Sequence, residues 1–346
     1  MTHTASARTR LWIPALLLAA LALAPSATAQ DVHVRVSPDV KTGIAGTTEF
    51  PTIQMAMDHH PWPGKHADGT PGRVYIEIAS GVYHERVIVT QNHPNITLIG
   101  MGQSPAGVVI TNSLNAKQAG GTFFTETVEI NGAGFEADNI TFENSAGNTG
   151  QAVAAAVRSD RAIFKHCRFL GHQDTLFADY GRQYYVDSYV EGGVDFIFGN
   201  AAAVFDHSEI HANGPGYVTA QSRTSPEQAT GFVIADSRVT SGMEPRAAKD
   251  TISLGRPWRP FSRVVYIRTE LPGNVIAQGW NPWGKTPGEP QAYYAEFQDK
   301  GFGANPGARV PWSHQLTAQQ AAQYAPRVFL AGKDRWDPVG EAARLP

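Results

Sequence analysis

Short apolar stretches broken by Gly, Asn, Asp and Ser recur along the middle of the chain, from about residue 74 to residue 280. Within them Val, Ile and Phe alternate with polar residues, a pattern typical of β-strands. No segment of this region has the helical apolar period that alternating strands and helices would require, so a doubly wound sheet is disfavoured. The pattern therefore predicts an all-β fold.

A four-residue motif repeats inside this region. It reads NITF at 139–142, HCRF at 166–169, DSYV at 187–190, HSEI at 207–210 and DSRV at 236–239. Its last residues are 27, 21, 20 and 29 positions apart. Irregular periods of roughly 20 to 30 residues are typical of solenoid repeats. Each motif is therefore expected to mark one coil of a parallel β-helix, whose coils bury their inner face.

The flanking segments predict short capping elements. Residues 50–58 indicate a short helix, and residues 81–85 a turn between strands at 73–78 and 86–90. The Ala/Gln-rich segment 317–324 indicates a C-terminal helix, capped by Thr317 or Ser313. That helix is expected to cover an exposed edge of the solenoid. No linker is apparent, so residues 30–346 are expected to form a single domain.

The N-terminal segment predicts secretion. Two arginines precede an apolar run at 11–24, which has the length of a signal-peptide core and is short for a membrane span. Small residues at 27–29 predict cleavage before Gln30. We therefore expect a signal peptide at 1–29 and a secreted, extracellular protein, or a periplasmic one if the source has an outer membrane. No membrane contact is expected after cleavage.

Charge and composition exclude several classes of partner. Lys and Arg number 28 against 31 Asp and Glu, and the chain has no basic block, so no nucleic-acid partner is expected. The 12 histidines lack ligand spacing, which predicts no metal and no cofactor. The single cysteine, Cys167, stands at an apolar position of the repeat and is expected to be a buried structural thiol. A monomer is the default expectation.

Two aspartates follow the repeat motif at the same distance. Asp174 lies five residues after Phe169, and Asp195 lies five residues after Val190. Equal phase on adjacent coils predicts close approach, because neighbouring strands are about 4.8 Å apart. Two carboxylates that close are costly to ionise together, which points to chemistry. The alternative is that both are ordinary turn residues, where Asp is common.

Three polar neighbours favour the chemical interpretation. Gln173 precedes Asp174, and Gln151 lies 22 residues earlier, roughly one coil. Neutral amides suit donors to a developing oxyanion, although a buried amide ladder would use the same residues. Arg256 could hold one carboxylate ionised through a bidentate bond and leave the other with raised proton affinity. The alternative for Arg256 is a surface position in a turn.

Several segments resemble signature segments of the pectin methylesterase (pectinesterase) family. They are GVYHE at 81–85, QAVA at 151–154, GHQDTLF at 171–177, VDFIFGN at 194–200 and LGRPW at 254–258. The similarity extends from about residue 40 to residue 340. It implies a right-handed, single-stranded parallel β-helix that hydrolyses the methyl esters of pectin, a methyl-esterified polygalacturonate, without a metal or cofactor.

The resemblance also implies a role for each matching residue. Asp195 would be the nucleophile, and Asp174 would be the proton donor to methanol and then the base for the resolving water. Gln151 and Gln173 would stabilise the oxyanion, and Arg256 would orient Asp195. The substrate chain would be contacted by Thr122, Gln151, Phe198, Arg256 and Trp258.

Two features set the chain apart from many members of that family. Phe177 stands where many members have Tyr, which removes a hydroxyl from the edge of the cleft. The predicted leader also runs directly into the catalytic part without an inhibitor-like pro-region. A bacterial-type secreted member is therefore expected.

Three other functions stay open at this stage. A polygalacturonase or lyase on the same fold is one, because two carboxylates about 5 Å apart also suit a retaining glycosidase. The pair of glutamines argues for ester hydrolysis, which needs an oxyanion site. A solenoid that only binds polysaccharide is the second, although it would be expected to have lost Asp174, Asp195 or Arg256. A family member acting on another ester or thioester is the third.

Overall fold

The computed structural model describes Met1 and residues 31–40, 48–243, 251–284 and 291–346. The signal peptide predicted at 1–29 lies, apart from Met1, outside the described residues. Strands dominate the described ranges, and the longest of the helices has 7 residues. No helix within these ranges is both long and apolar enough to span a membrane.

The described chain contains 24 strands and five short α-helices, numbered here in chain order. Strands β1 to β8 are Val32–Val36, Glu49–Phe50, Val74–Ile78, Gly81–His84, Val87–Val89, Ile96–Gly100, Val108–Asn112 and Val128–Ile130. Strands β9 to β16 are Glu136–Asp138, Thr141–Asn144, Ala155–Val157, Ala162–Lys165, Arg168–Leu170, Leu176–Ala178, Arg182–Val186 and Tyr189–Gly199. Strands β17 to β24 are Ala202–Asp206, Glu209–Gln221, Gly231–Ala235, Arg238–Ser241, Ile252–Gly255, Arg263–Ile267, Tyr293–Phe297 and Ser313–Gln315. Helices α1 to α5 are Ile53–His59, Ala116–Ala119, Ala318–Ala321, Pro326–Phe329 and Pro338–Ala342.

The strands form two parallel sheets that wind around a common interior. The first sheet has the order β2-β1-β3-β6-β9-β12-β15-β17-β19-β22-β23-β24. The second sheet consists of two ladders, β4-β7-β10-β13 and β5-β8-β11-β14, which join in the long strand β16 and continue through β18. A central coil therefore gives one strand to the first sheet and two strands, or one long strand, to the second. This arrangement confirms the predicted parallel β-helix.

The repeat motif marks the corner at which each coil passes from the first sheet to the second. Its last residues pair directly from coil to coil, from Phe142 to Phe169, Val190, Ile210 and Val239. Its first residues all adopt left-handed backbone angles, with φ between 49° and 59°. Asn, Asp and His are the non-glycine residues that enter this region most readily. The backbone of the corner therefore explains the first letter of the motif.

Aromatic rings stack along the interior because equivalent residues on successive coils are in register. Phe164, Tyr185 and Phe205 form one such column, with ring centroids 4.9 and 4.5 Å apart. Phe142 and Phe169 form another at 5.2 Å. Stacked pairs of this kind contribute beyond the apolar area that they bury.

A column of side chains at the same corner satisfies backbone N–H groups between coils. The N–H of Cys167 donates to Ser188 Oγ at 3.1 Å, that of Ser188 to Ser208 Oγ at 3.2 Å, and that of Ser208 to Ser237 Oγ at 2.9 Å. Cys167 itself is buried and unpaired with another cysteine, and burial raises the pKa of its thiol. The structural role expected for Cys167 is confirmed.

The segment 81–85 is not the predicted turn. Residues 81–84 form β4, which pairs with β7, and the Tyr83 hydroxyl donates to the Ala79 carbonyl at 2.7 Å. The carboxylate of Glu85 accepts hydrogen bonds from the N–H groups of Ile53 and Gln54, both at 3.0 Å. These N–H groups lie in the first turn of α1, where they lack helical partners. Glu85 therefore fastens the N-terminal helix to the solenoid.

The C-terminal helices cover a face of the solenoid, not an edge. Thr317 caps α3 as predicted, since its hydroxyl accepts from the N–H of Gln320 at 3.3 Å. Beyond it, Leu330, Trp336 and Leu345 join the cluster formed by the outward side chains of the first sheet. Those outward positions are apolar, unlike the outer face of a solvated sheet, so they bury area only if another segment covers them. The prediction that the C-terminal helix covers an edge of the solenoid is therefore wrong, because the apolar area that it covers lies on the outer face of the first sheet.

Replacing Ser208 by Ala is expected to lower the free energy of unfolding by about 1–3 kcal/mol, because the buried N–H of Ser188 loses its acceptor. Urea unfolding followed by circular dichroism would measure the change. Ser145→Ala is the control, because the exposed Ser145 hydroxyl can be replaced by water. Equal midpoints for the two variants would contradict a stabilising role for the serine column.

Candidate active site

Asp174 and Asp195 occupy equivalent positions on neighbouring coils, as their phase predicts. Gln173 pairs with Val194, and Leu176 pairs with Ile197 three residues further on. Both aspartates have left-handed backbone angles, with φ of 63° and 50°. Asp195 is 6% exposed and Asp174 is half-buried. The two carboxyl groups are therefore close together in a largely desolvated setting.

Arg256 binds Asp195 through both ends of its guanidinium fork. Its Nε lies 2.8 Å from Asp195 Oδ1, and its Nη2 lies 2.5 Å from Oδ2. Arg256 follows β21, which is separated from β16 by β18, so the side chain reaches back across two coils. The bidentate contact predicted between Arg256 and Asp195 is present, and bonds of this type are among the strongest that a carboxylate makes.

The two carboxyl groups differ in proton affinity. Burial, followed by the charge of Asp195, raises the pKa of Asp174 to about 8, and Arg256 offsets this only in part. Burial also raises the pKa of Asp195, but the hydrogen bonds and charge of Arg256 act against the rise. Asp174 therefore keeps its proton at neutral pH, while Arg256 favours the carboxylate form of Asp195. Two like groups in different environments can in this way serve as acid and nucleophile.

Gln151 and Gln173 are paired directly on adjacent coils. The backbone continues this row, since the N–H of Ala152 donates to the Gln173 carbonyl at 3.0 Å and the N–H of Asp174 donates to the Val194 carbonyl at 3.0 Å. The spacing of one coil between the glutamines is thus confirmed. Both are half-buried and stand beside the carboxyl pair, where amide groups could donate to an oxyanion.

An aromatic row runs beside these polar residues on the outer face of the second sheet. Phe177 and Phe198 stack at 4.6 Å, and Trp258 lies 6.0 Å from Phe198. Phe123 extends the row, with its ring 5.0 Å from that of Phe177. Thr122 precedes Phe123 in the short turn Thr122–Phe124 and is half-buried. The predicted substrate-contacting residues therefore lie along one surface, although their roles stay predictions.

Sequence reasoning missed two aromatic residues that enclose Arg256. Its Cζ lies 3.8 Å from the ring centroid of Tyr217 and 3.6 Å from that of Trp283. Tyr217 pairs with Val194, beside Asp195, but register shifts between β16 and β18 break the simple period there. The repeat spacing, counted along the chain from Asp195, therefore does not predict that Tyr217 lies beside it. Trp283 lies between β22 and β23 in a turn outside the regular strands, where no repeat gives its position.

Fold and site together define a class of protein: a parallel β-helix with a paired-carboxylate site on an aromatic outer face. Within that class, the model of one family, described as Pectinesterase, matches residues 39–333. The chain belongs to the pectinesterase family.

Individual relatives agree with this assignment. "Pectinesterase 31" of Arabidopsis thaliana is 38% identical over 308 residues, which cover 86% of this chain and 92% of the relative. The solved structure of pectin methylesterase from carrot has 35% identity and a TM-score of 0.81, covering 91% of this chain and 97% of that one. A pectin methylesterase in complex with a hexasaccharide has 27% identity and a TM-score of 0.71, covering 91% and 99%.

Replacing Asp174 by Asn is expected to stabilise the fold increasingly as the pH rises. The pKa of Asp174 is about 8 in the folded protein and about 3.9 in the unfolded chain. The neutral Asp174 carboxyl therefore makes its full contribution to the free energy of unfolding below about pH 4. That contribution is lost as the pH rises through 8, whereas Asn stays neutral. Urea midpoints measured at pH 5 and pH 9 would show the difference, with the exposed Asp58→Asn as control. A pH-independent difference would contradict the raised pKa.

Proposed function

We propose that this protein is a pectin methylesterase, which converts methyl-esterified polygalacturonate to pectate and methanol through a covalent acyl-enzyme. The proposal rests on the unequal proton affinities of the two carboxyl groups in a chain of the pectinesterase family. Asp195 is bound by Arg256, and Asp174 beside it has a pKa raised to about 8. Family membership supports the substrate, and the geometry supports the mechanism.

In the first step the Asp195 carboxylate attacks the ester carbonyl carbon. Arg256 holds both oxygens of Asp195, which keeps the carboxylate ionised and fixes its plane. The carbonyl oxygen becomes an oxyanion, and the side-chain amides of Gln151 and Gln173 donate to it. Preorganised donors of this kind lower the barrier because their dipoles are oriented before the charge develops.

In the second step the tetrahedral intermediate collapses to an anhydride between Asp195 and the galacturonate carboxyl group. Asp174 gives its proton to the departing methoxide, so methanol leaves neutral. The resulting Asp174 carboxylate then takes a proton from water, which attacks the galacturonyl carbon of the anhydride and releases Asp195. One residue thus acts first as acid and then as base.

The aromatic row supports a polysaccharide substrate. Trp258 is half-buried and Phe123 is exposed, so their rings give an apolar surface on which the hydrophobic faces of sugar rings can pack. Phe198 is 3% exposed and packs against Phe177 and Trp258, so its proposed contact is made by the edge that remains accessible. Thr122, Gln151 and Arg256 complete the proposed substrate contacts. The two glutamines favour ester hydrolysis over glycoside cleavage, because a glycosidase needs an acid at the glycosidic oxygen in place of oxyanion donors.

We also propose that residues 30–346 form one catalytic domain and that residues 1–29 are a signal peptide, which would direct secretion. The enzyme is further proposed to act as a monomer. The composition of the leader supports secretion. The bacterial-type character expected from the sequence has no support from the relatives, which include proteins of Arabidopsis thaliana, Daucus carota and Citrus sinensis. It stays a prediction from the sequence alone.

Methanol release from highly methylated pectin tests the proposal. Wild type is expected to release methanol without a fall in viscosity from chain scission, and Asp195→Asn to lose about 10³-fold or more in kcat. Asp187→Asn is the matched control. Asp187 lies at the corner between β15 and β16 and has the same φ of 50° as Asp195. Rapid depolymerisation, or methanol release that survives Asp195→Asn, would overturn the proposal.

The pH profile gives a second test. Since Asp174 must be protonated in the free enzyme, kcat/KM is expected to fall above about pH 8. Pectin esters also hydrolyse spontaneously in base, so rates without enzyme are subtracted at each pH. A profile that stays level to pH 10 would exclude Asp174 as the proton donor.

A further inference from the structure

The guanidinium of Arg256 is enclosed by two aromatic rings while its edge binds Asp195. We propose that Tyr217 and Trp283 are positioning residues, which hold the Arg256 guanidinium in the plane from which it binds Asp195. This inference rests on the proposed function, because it assigns to both rings an effect on the nucleophile. Neither ring needs to touch the reacting atoms for this effect.

Arg256 needs such support because of the distance that it spans. It follows β21, whereas Asp195 lies in β16, and β18 runs between them. Two strand spacings amount to roughly 9.6 Å, which requires a nearly extended side chain. A free arginine side chain of this length has many rotamers, and the bidentate contact at 2.8 and 2.5 Å is made by few of them. Selecting these few rotamers costs conformational entropy. Rings that confine the Arg256 side chain before catalysis would remove this entropic cost.

Tyr217 supplies the support from the intervening strand. It lies in β18 and pairs with Val194, the residue before Asp195. Its ring centroid is 3.8 Å from Arg256 Cζ, within the contact distance of a stacked cation and ring. The strand that Arg256 must cross therefore provides one wall of the enclosure.

Trp283 supplies the other wall, with its ring centroid 3.6 Å from Arg256 Cζ. Its backbone has φ of 61°, in the left-handed region that bulky residues rarely adopt. The side chain of Asn281 stabilises this conformation by accepting a hydrogen bond from the Trp283 N–H at 2.8 Å, and the Asn281 N–H donates to the Gly255 carbonyl at 3.0 Å. An uncommon backbone that is maintained next to a reactive group points to a functional constraint.

Loss of either ring would let the guanidinium rotate out of the plane of the Asp195 carboxylate. The carboxylate would then lose part of its bidentate stabilisation, and a proton would bind to Asp195 more readily. The ionisable groups that face Asp195 are Asp174 from the preceding coil, Arg256, and Tyr294 from β23. Tyr217 adds a phenol beside Arg256, which Tyr217→Phe removes while it retains the ring. Substitution at 217 or 283 alters none of the other groups, so a shift in the titration of Asp195 that appears in the Leu variants and not in the Phe variants would report the position of Arg256.

The test compares ring-removing with ring-retaining variants in methanol-release assays from pH 4 to pH 9. Tyr217→Leu and Trp283→Leu are expected to lower kcat by about 3- to 30-fold, the range that corresponds to one cation–π contact. The acid limb of kcat/KM, which follows ionisation of Asp195, is expected to move to higher pH. Tyr217→Phe and Trp283→Phe are expected to keep the wild-type profile, because each retains a ring for Arg256.

Tyr189→Leu is the matched control, because it removes a ring that stacks on Arg168 at 5.6 Å, away from the carboxyl pair. It is expected to keep the wild-type acid limb. Unchanged acid limbs in both ring-removing variants, or equal shifts in the Phe variants and the control, would overturn the inference. If one Leu variant fails to fold by circular dichroism, the other still decides. A wild type without methanol release would instead refute the proposed function.

Discussion

Parallel hydrogen bonding between successive coils is the constraint on which the rest of the structure depends. It places each residue directly above its equivalent, so that like side chains meet: Phe164 on Tyr185, Ser188 on Ser208, and Gln151 on Gln173. In the interior this register gains ring stacking and satisfied N–H groups. On the outer face the same register brings Asp174 next to Asp195, where like charges are costly. Arg256 offsets that cost on one of the two.

The site therefore obtains unequal carboxyl groups from a repetitive scaffold by breaking the repetition. Asp174 and Asp195 have the same backbone conformation and equivalent places, so the difference between them comes from outside their coils. It comes from Arg256, two coils beyond Asp195, which donates hydrogen bonds to Asp195 and acts on Asp174 only through its charge. Tyr217 and Trp283, which enclose that arginine, belong to segments where the period is also broken. The residues that make the two carboxyl groups unequal therefore lie where the repeat is broken.

The sequence predicted those features that depend on register. The coil spacing was readable from the motif, because Asn, Asp or His stands at the left-handed corner position in each of its five copies. The signal ends at Arg268 and Gln298, which have the same left-handed φ at the corners of later coils. The pairing of Asp174 with Asp195 followed from equal phase. Features that depend on tertiary covering were not readable. Gly81–His84 forms a strand because its partner β7 lies a coil away, and the C-terminal helices select an apolar outer face that no local pattern identifies.

The left-handed backbone of the two acidic residues has a consequence for how this site could have arisen. Corners and turns of the solenoid already favour Asp and Asn for conformational reasons alone. A carboxylate at position 174 or 195 would therefore have been available before any catalytic selection acted on it. Exchange between Asp and Asn at such positions leaves the backbone unstrained and changes only the charge. A scaffold of this kind can gain or lose acidic groups coil by coil, and it supplies reactive side chains as a by-product of its own folding.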